Sequence, residues 1–397
     1  METGLESAHA TYDIRSPDRI TYGLGSVGSL GEFAEKQAIE TALIVTDATL
    51  VEVGTVEKPI AALESAGVTT EVFDEVQAEP TLKMANDAAE AVVMGDHDLV
   101  VGIGGGSSMD TAKVAAGIAD TSKGARDVLG MDKVSDRTRK LALLPTTAGT
   151  GSETTHIGVF ADEDDGGTKK VIYADPLFAD LAVVDPELTA TLPGPIAAQT
   201  GVDALTHAIE AYVSTKRTPY TDTLARSAIE RIGENLRPAV FQGEENDGAR
   251  YQMSLAAMQA GQAFVNSGLG AVHALTYPLS REYHLGHGLT NGLLLPYVMA
   301  YNVPAERNRF SDIARWLEPD DSMGPEPMES VEAVFRLLDD VGIPTDIAGY
   351  GDLDSDDFDR FADIAFEQSK HNIERNPRTL DRSDVIAIFE NAYTGEY

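Results

Sequence analysis

The pattern of apolar and polar positions in the first half of the chain alternates between that of strands and that of helices. Short apolar, β-branched runs indicate buried strands, and longer amphipathic stretches between them indicate helices. This βαβα order predicts a parallel sheet covered by helices. The predicted strands are 41–47, 69–74, 98–104 and 141–147, followed by shorter strand-like runs at 169–176 and 181–186, and the predicted helices are 56–67, 81–95 and 107–119.

After residue 188 the pattern changes, and strand signals almost vanish. Apolar residues now recur at helical spacing in one long segment after another. The predicted helices are 196–214, 220–236, 249–267, 288–302, 329–341, 356–370 and 381–393. We therefore predict an α/β, Rossmann-like nucleotide-binding domain at 1–188 and an all-α domain at 189–397, with the boundary near the proline-rich DPELTATLPGP.

Length and composition agree with a two-domain cytoplasmic protein. The chain has 397 residues, which is too long for one ordinary core. It has no cysteine, which excludes disulfides, thiolate zinc sites and cysteine nucleophiles. The N-terminal METGLESAHATYD lacks the basic and apolar regions of a secretory signal, and the longest apolar runs are too short to span a bilayer.

Acidic residues are spread along the whole chain and give it a formal net charge of −35. Such a surface repels nucleic acids and anionic membranes, so neither is expected as a partner. It would also repel itself in ordinary salt, whereas at molar salt the Debye length falls to about 3 Å. Lysine is also scarcer than arginine. We therefore expect a halophilic protein; an unusually acidic protein from an ordinary habitat is the alternative.

Two glycine-rich segments match nucleotide-binding patterns, but only one has the right context. Gly23-x-Gly25-x-x-Gly28 fits the dinucleotide fingerprint, yet the residues before it, DRITY, are short and half polar. A GxGxxG motif without a buried strand before it is weak evidence. We expect these three glycines to serve turns.

The segment DLVVGIGGGSSMDTAK places a fully apolar strand before Gly104–Gly106, Ser107 and Ser108, and an amphipathic helix after them. Glycines allow the backbone to approach a ligand closely, and the first N–H groups of a helix favour an anion. This context predicts a phosphate cradle. Lys113, one turn later, is expected on the helix surface or near a phosphate at a distance.

A second polar loop, PTTAGTGSE at 145–153, follows the next predicted strand. Loops at the carboxyl ends of neighbouring parallel strands converge on one crevice, so the two loops suggest a nucleotide spread across the sheet edge. Asp47 ends the first strand, where a carboxylate can accept hydrogen bonds from a ribose and would repel a 2′-phosphate. That favours NAD over NADP; helix capping by Asp47 is the alternative.

Asp203 and His207 lie four residues apart on one face of a mostly apolar helical segment. Buried carboxylate and imidazole groups must be paired or metal-bound. Asp203 could simply accept a hydrogen bond from His207. With His273 and His287, however, they would form a three-histidine, one-carboxylate site suited to Fe(II) or Zn(II).

Four motifs occur in the order expected of the iron-containing alcohol dehydrogenase family, which the chain resembles from about Gly23 to its C-terminal region. They are GGGSSMDTAK, PTTAGTGSE, GVDALTHAIEAY, and a histidine that is separated from a following HG by 13 residues. The resemblance implies that the first loop binds the pyrophosphate and that the second flanks the nicotinamide. It also implies a divalent metal bound by the aspartate and three histidines, and a lysine near the cofactor at Lys170. Many members have another histidine where this chain has Tyr277, and some branches, including the hydroxyacid–oxoacid transhydrogenases, resemble this chain there.

We therefore predict an NAD-dependent, divalent-metal-dependent alcohol dehydrogenase or aldehyde reductase that transfers hydride between a small alcohol and the nicotinamide. By resemblance, a homodimer or higher homo-oligomer is expected. A hydroxyacid–oxoacid transhydrogenase, a dehydroquinate synthase-like lyase and a non-catalytic nucleotide sensor are the alternatives. The candidate residues are Tyr277 and His287 for catalysis; Asp47, Gly105, Gly106, Ser107, Asp110, Thr146, Thr147 and Lys170 for the cofactor; and Asp203, His207, His273 and His287 for Fe(II) or Zn(II).

Overall fold

A computed structural model of the protein describes residues 10–318, 324–351 and 353–397. The first nine residues, part of the stretch that indicated no secretory signal, lie outside the described residues. The predicted fold class is confirmed: an α/β part precedes an all-α part. In the described residues, no helix is long and apolar enough to cross a membrane.

The α/β part is built on a six-stranded parallel sheet. From one edge to the other its strands are β1 (Ile20–Tyr22), β9 (Leu181–Val184), β6 (Lys140–Pro145), β4 (Leu99–Gly104), β2 (Thr41–Val45) and β3 (Thr69–Phe73). Its central strands are buried along almost their whole length, because helices cover both faces, as the continuous apolar runs predict. The helices of this part of the chain are α1 (Ser29–Gln37), α2 (Ala48–Glu52), α3 (Glu57–Ser65), α4 (Leu82–Met94) and α5 (Gly106–Ile118).

A smaller three-stranded sheet lies beside the main one. It contains β5 (Gly130–Met131), β7 (Ile157–Asp162) and β8 (Thr168–Tyr173). Strands β7 and β8 form an antiparallel hairpin, in which Phe160 pairs with Lys170. Only β8 of this sheet was predicted. The hairpin matters for the site because it packs against α5, the helix that follows the first glycine loop.

The second part of the chain is helical, and its described residues contain no strand. Its largest apolar cluster joins most of these helices in one core. The helices are α6 (Gly194–Val213), α7 (Pro219–Gln242), α8 (Asp247–Ser267), α9 (Ala271–Tyr283), α10 (His287–Asn302), α11 (Arg307–Leu317), α12 (Glu329–Asp340), α13 (Ser355–Gln368), α14 (Lys370–Arg375) and α15 (Arg382–Thr394).

Helix α9 was not predicted, although it carries His273 and Tyr277. Gly268 and Gly270 precede it, and Pro278 lies inside it, so the sequence shows helix breakers at both places. A proline removes one backbone hydrogen bond and normally disfavours a helix interior. Burial of most of α9, including Pro278 itself, overrides that local preference.

The fingerprint at Gly23-x-Gly25-x-x-Gly28 is a turn, as predicted. The N–H groups of Gly25 and Val27 both donate to the buried carboxylate of Asp185, at 3.2 and 2.9 Å. This carboxylate already occupies the place where a phosphate would have to accept those bonds. The motif therefore serves the fold.

Candidate active site

The first glycine loop joins β4 to α5 in a conformation that requires glycine. Gly104 has φ +148°, and a Cβ atom there would lie 2.5 Å from Ser108 Oγ. Gly105 precedes α5 with extended backbone, and no side chain caps the helix. An uncapped helix N-terminus favours an anion, so this geometry is compatible with the predicted phosphate cradle, which stays a prediction.

The second loop follows β6 and lies directly against the first. The N–H group of Thr146 donates to the Gly104 carbonyl at 3.0 Å. The side chain of Thr147 lies next to Gly105, and its Oγ1 is buried without a hydrogen-bond partner in the described part of the chain. An unpartnered buried hydroxyl beside the helix N-terminus suits a ligand that bridges the two loops.

The same loop reaches the helical part of the chain through two close glycine contacts. A Cβ atom at Gly149 would lie 2.6 Å from Thr200 Cβ on α6, and one at Gly151 would lie 2.6 Å from Gly261 Cα on α8. Gly151 also has φ +60°. The second loop therefore touches α6 one turn before Asp203.

The four predicted metal ligands lie together. Each of Asp203, His207, His273 and His287 offers one ligand atom, and these atoms are all within 4.8 Å of one another. The Nε2 atoms of the three histidines lie 3.5, 3.9 and 3.8 Å from Asp203 Oδ1 in chain order. Metal bonds of about 2.0–2.2 Å hold two ligands of one ion at most about 4.4 Å apart, and the three distances to Asp203 Oδ1 lie within that limit.

The cluster also has the electronic character of a cation site. Burial lowers the pKa of His207 to about 4 and that of His287 to about 3, with Asp203 acting in the opposite direction. Burial alone would raise the pKa of Asp203, but the imidazoles and an amide around it outweigh burial and lower it. At neutral pH His207 and His287 are therefore neutral imidazoles beside the ionised Asp203, which are metal-binding forms.

Two neighbouring residues orient these ligands, and sequence reasoning missed both. Glu210 Oε2 lies 2.6 Å from His273 Nδ1, so the proton on that nitrogen leaves Nε2 free to face the cluster. Asn291 Nδ2 donates to Asp203 Oδ1 at 2.7 Å, and Thr276 Oγ1 fixes the amide by donating to its oxygen at 2.6 Å. Glu210 could have been found, because it lies on the same α6 face as Asp203 and His207.

The cluster is most exposed at His287, one of the two residues predicted for catalysis. The His287 side chain is 34% exposed, whereas those of the other three ligands are at most 6% exposed. Tyr277 lies one turn after His273 on α9 and is half-buried. Burial raises the pKa of Tyr277, so its hydroxyl keeps its proton at neutral pH.

The remaining cofactor candidates have internal partners. Asp47 caps α2, with its Oδ1 accepting from the Leu50 N–H at 3.0 Å, so the capping role is present. Ser107 Oγ donates to the Ala78 carbonyl at 2.6 Å, and Lys170 pairs with Asp165 at 2.6 Å.

Asp110 uses both carboxylate oxygens for internal bonds, to Ser152 and Lys113 through Oδ1 and to the Val159 N–H through Oδ2. The expectation that Lys113 lies on the helix surface was wrong. Its side chain is fully buried, because the second loop and the β7–β8 hairpin cover that face of α5.

Comparison with known proteins gives a consistent result over nearly the whole chain. Residues 17–186 match the profile of the iron-containing alcohol dehydrogenases, and residues 197–393 match the C-terminal profile of the same family. Long-chain-alcohol dehydrogenase 1 of Geobacillus thermodenitrificans is 38% identical over 94% of each chain.

Two solved structures show the same architecture. The structure of a 1,3-propanediol oxidoreductase is 32% identical, with a TM-score of 0.92 over 97% of this chain and 100% of the other. That of sulfoacetaldehyde reductase from Bifidobacterium kashiwanohense in complex with NAD+ is 28% identical, with a TM-score of 0.88 over 98% and 100%. The chain is therefore a member of the iron-containing alcohol dehydrogenase family, and it is an alcohol oxidoreductase.

Proposed function

We propose that the protein is an NAD-dependent, divalent-metal-dependent alcohol dehydrogenase or aldehyde reductase that acts on small alcohols and aldehydes. The observation that supports this most directly is the convergence of Asp203, His207, His273 and His287, one helical turn beyond the contact with the second glycine loop. A metal bound there would lie close to a dinucleotide bound on the loops.

The residues of the chain divide the work. A divalent ion would polarise the substrate oxygen, and the nicotinamide would give or take the hydride. Asp203 and the three histidines would hold the ion, either Fe(II) or Zn(II). The exposed edge of His287 would give the substrate an approach to the cluster, and the protonated Tyr277 hydroxyl would donate a hydrogen bond or a proton to it.

Cofactor binding is assigned to the two loops and the strand end beside them. Gly105, Gly106 and Ser107 would hold the pyrophosphate, and Thr146, Thr147 and Lys170 would flank the nicotinamide half. Asp110 would support this set. Asp47 Oδ1 caps α2, and the other carboxylate oxygen is left for a ribose hydroxyl, which favours NAD over NADP. The proposed boundary between the two domains stays between residues 188 and 189. We also propose that the protein is a cytoplasmic homo-oligomer.

A hydroxyacid–oxoacid transhydrogenase is the second candidate function, and Tyr277 is the observation that favours it. In this reaction a tightly held cofactor would take hydride from a hydroxy acid and give it to an oxo acid. The same metal and loop residues would serve both functions, so the substrate decides between them.

The test is oxidation of NADH and NADPH by the purified protein in multimolar KCl with added Fe(II) or Zn(II), against small aldehydes and 2-oxo acids. We expect metal-dependent oxidation of NADH by aldehydes and slower oxidation of NADPH. Exchange between hydroxy and oxo acids without turnover of free NADH would favour the transhydrogenase. Tight NAD binding without any turnover would contradict both functions.

We further propose that the acidic surface is an adaptation to high salt. At −35 formal charges, self-repulsion opposes the folded state until salt screens it. The melting temperature should therefore rise by at least about 10 °C between 0.1 and 3 M KCl, since stabilisation of a few kcal/mol shifts a domain by several degrees. A melting temperature that stays constant or falls over this range would contradict the proposal.

A further inference from the structure

Lys113 occupies an unusual place for an ammonium group, at the centre of α5 with 0% of its side chain exposed. Its Nζ has four acceptors within hydrogen-bond distance. They are Asp110 Oδ1 at 3.1 Å, Ser152 Oγ at 2.5 Å, Thr155 Oγ1 at 3.0 Å and the Ile157 carbonyl at 2.8 Å. A buried charge persists only when it is paired and hydrogen-bonded this fully.

The direction of each bond is fixed by the chemistry of the partners. The Ser152 hydroxyl donates to Asp110 Oδ1 at 2.6 Å and therefore accepts from Lys113. Asp110 Oδ2 accepts from the Val159 N–H at 3.0 Å. Burial lowers the pKa of Lys113, while Asp110 beside it acts in the opposite direction.

These bonds join separate parts of the proposed cofactor site. Asp110 and Lys113 lie on α5, whose N-terminus follows the first glycine loop, and Ser152 belongs to the second loop. Hydrogen bonds to Ile157 and Val159 attach β7 to the same helix. The second loop in turn packs on α6 and α8 through its glycines.

We propose that Lys113 is a positioning residue that fixes the second loop against the phosphate-loop helix, so that both loops meet the dinucleotide in one geometry. This inference rests on the proposed function, because it requires a dinucleotide on the loops. Lys113 itself is enclosed by protein and touches neither cofactor nor substrate. Its effect would act through the positions of Thr147 and Thr150, whose side chains lie next to Gly105 and Gly106.

We expect the affinity for the cofactor to fall when the hydrogen bonds around Lys113 are removed. A displaced second loop must be ordered by the cofactor itself, and ordering costs binding free energy. For Ser152→Ala, which removes the hydrogen bonds of this hydroxyl to Lys113 and to Asp110, we expect the Kd for NADH to rise about tenfold. Lys113→Met should raise this Kd at least as much.

The experiment compares the wild type with Ser152→Ala, Lys113→Met and the double variant, all loaded with metal in high salt. The readouts are the Kd for NADH by fluorescence titration, bound metal by elemental analysis, and the melting temperature. Ser330→Ala is the matched control, since Ser330 is also fully buried and donates a single bond, to the Pro327 carbonyl, in the helical part of the chain.

Three results together would support the inference. Ser152→Ala should bind NADH more weakly at unchanged metal content, and the control should bind it normally. Where Lys113→Met folds, the double variant should be no weaker than Lys113→Met alone, because the two residues act as one unit. If Lys113→Met does not fold, Ser152→Ala and its control still decide the matter.

Unchanged NADH affinity in Ser152→Ala would overturn the inference, even if the melting temperature fell. A lower melting temperature at unchanged affinity is the result expected if the hydrogen bonds around Lys113 only stabilise the fold. Failure of the proposed function looks different. In that case the wild type itself would either not bind NADH or bind it without any turnover.

Discussion

His207→Ala and His287→Ala are each expected to lose bound metal and alcohol turnover together, while NAD binding survives. Each change removes one of four ligands whose atoms lie within 4.8 Å of one another. Loss of a residue that merely supports a ligand already lowers metal affinity about 10–100-fold, so loss of a ligand should lower it at least about a hundredfold. The proposed phosphate cradle at Gly105 and Gly106 lies on the other part of the chain and should be unaffected.

The measurement pairs elemental analysis of each purified variant with a cofactor titration. His97→Ala is a suitable control, since this histidine is also buried but lies in the α/β part beside Glu71. If Asp203 and His207 were only a hydrogen-bonded pair, His207→Ala would lose stability and keep its metal. Full metal occupancy in His287→Ala would remove that residue from the site, and full occupancy in both variants would contradict the proposed mechanism.

The sequence predicted the metal cluster in two ways that differ in strength. Helical periodicity alone places Asp203 and His207 on one face of α6. Nothing local places His273 or His287 beside them. They were added because imidazoles complete a metal site with the first two residues, and the order of the family motifs supported that choice. The helix that carries His273 was hidden by Gly270 and Pro278, whose local preferences are overridden by burial.

The surroundings of Lys113 show why other features escaped prediction. The alternation of polar and apolar residues in α5 suggested an exposed face, yet every residue from Ser108 to Ile118 is buried. The face is covered by the second loop and by β7, a strand that the sequence did not reveal. Lys113 is buried by segments that are distant from it in the sequence, so the periodicity within the helix cannot predict its burial.

Glu210→Gln should weaken metal binding about 10–100-fold without abolishing it, as expected for a residue that orients a ligand. Glu210 accepts two hydrogen bonds at once, from the Val272 N–H to Oε1 and from His273 Nδ1 to Oε2, both at 2.6 Å. Glutamine has one oxygen to offer, so its amide N–H2 must face one of these two donors. Either the bond to Val272 is lost, or His273 moves its proton to Nε2, the atom that faces Asp203 and the other histidines.

A chelator competition at neutral pH measures this change, with the metal content of wild type and variant followed as chelator is added. Glu318→Gln is the control, because it makes the same chemical change in an exposed carboxylate that pairs with Arg336. Glu210→Gln should release its metal at a lower chelator concentration than the control, and its Kd for NADH should match that of the wild type. Identical release curves for the two variants would show that the carboxylate at Glu210 does not orient His273. A simultaneous loss of NADH binding would show instead that the substitution disturbs the fold beyond the metal cluster.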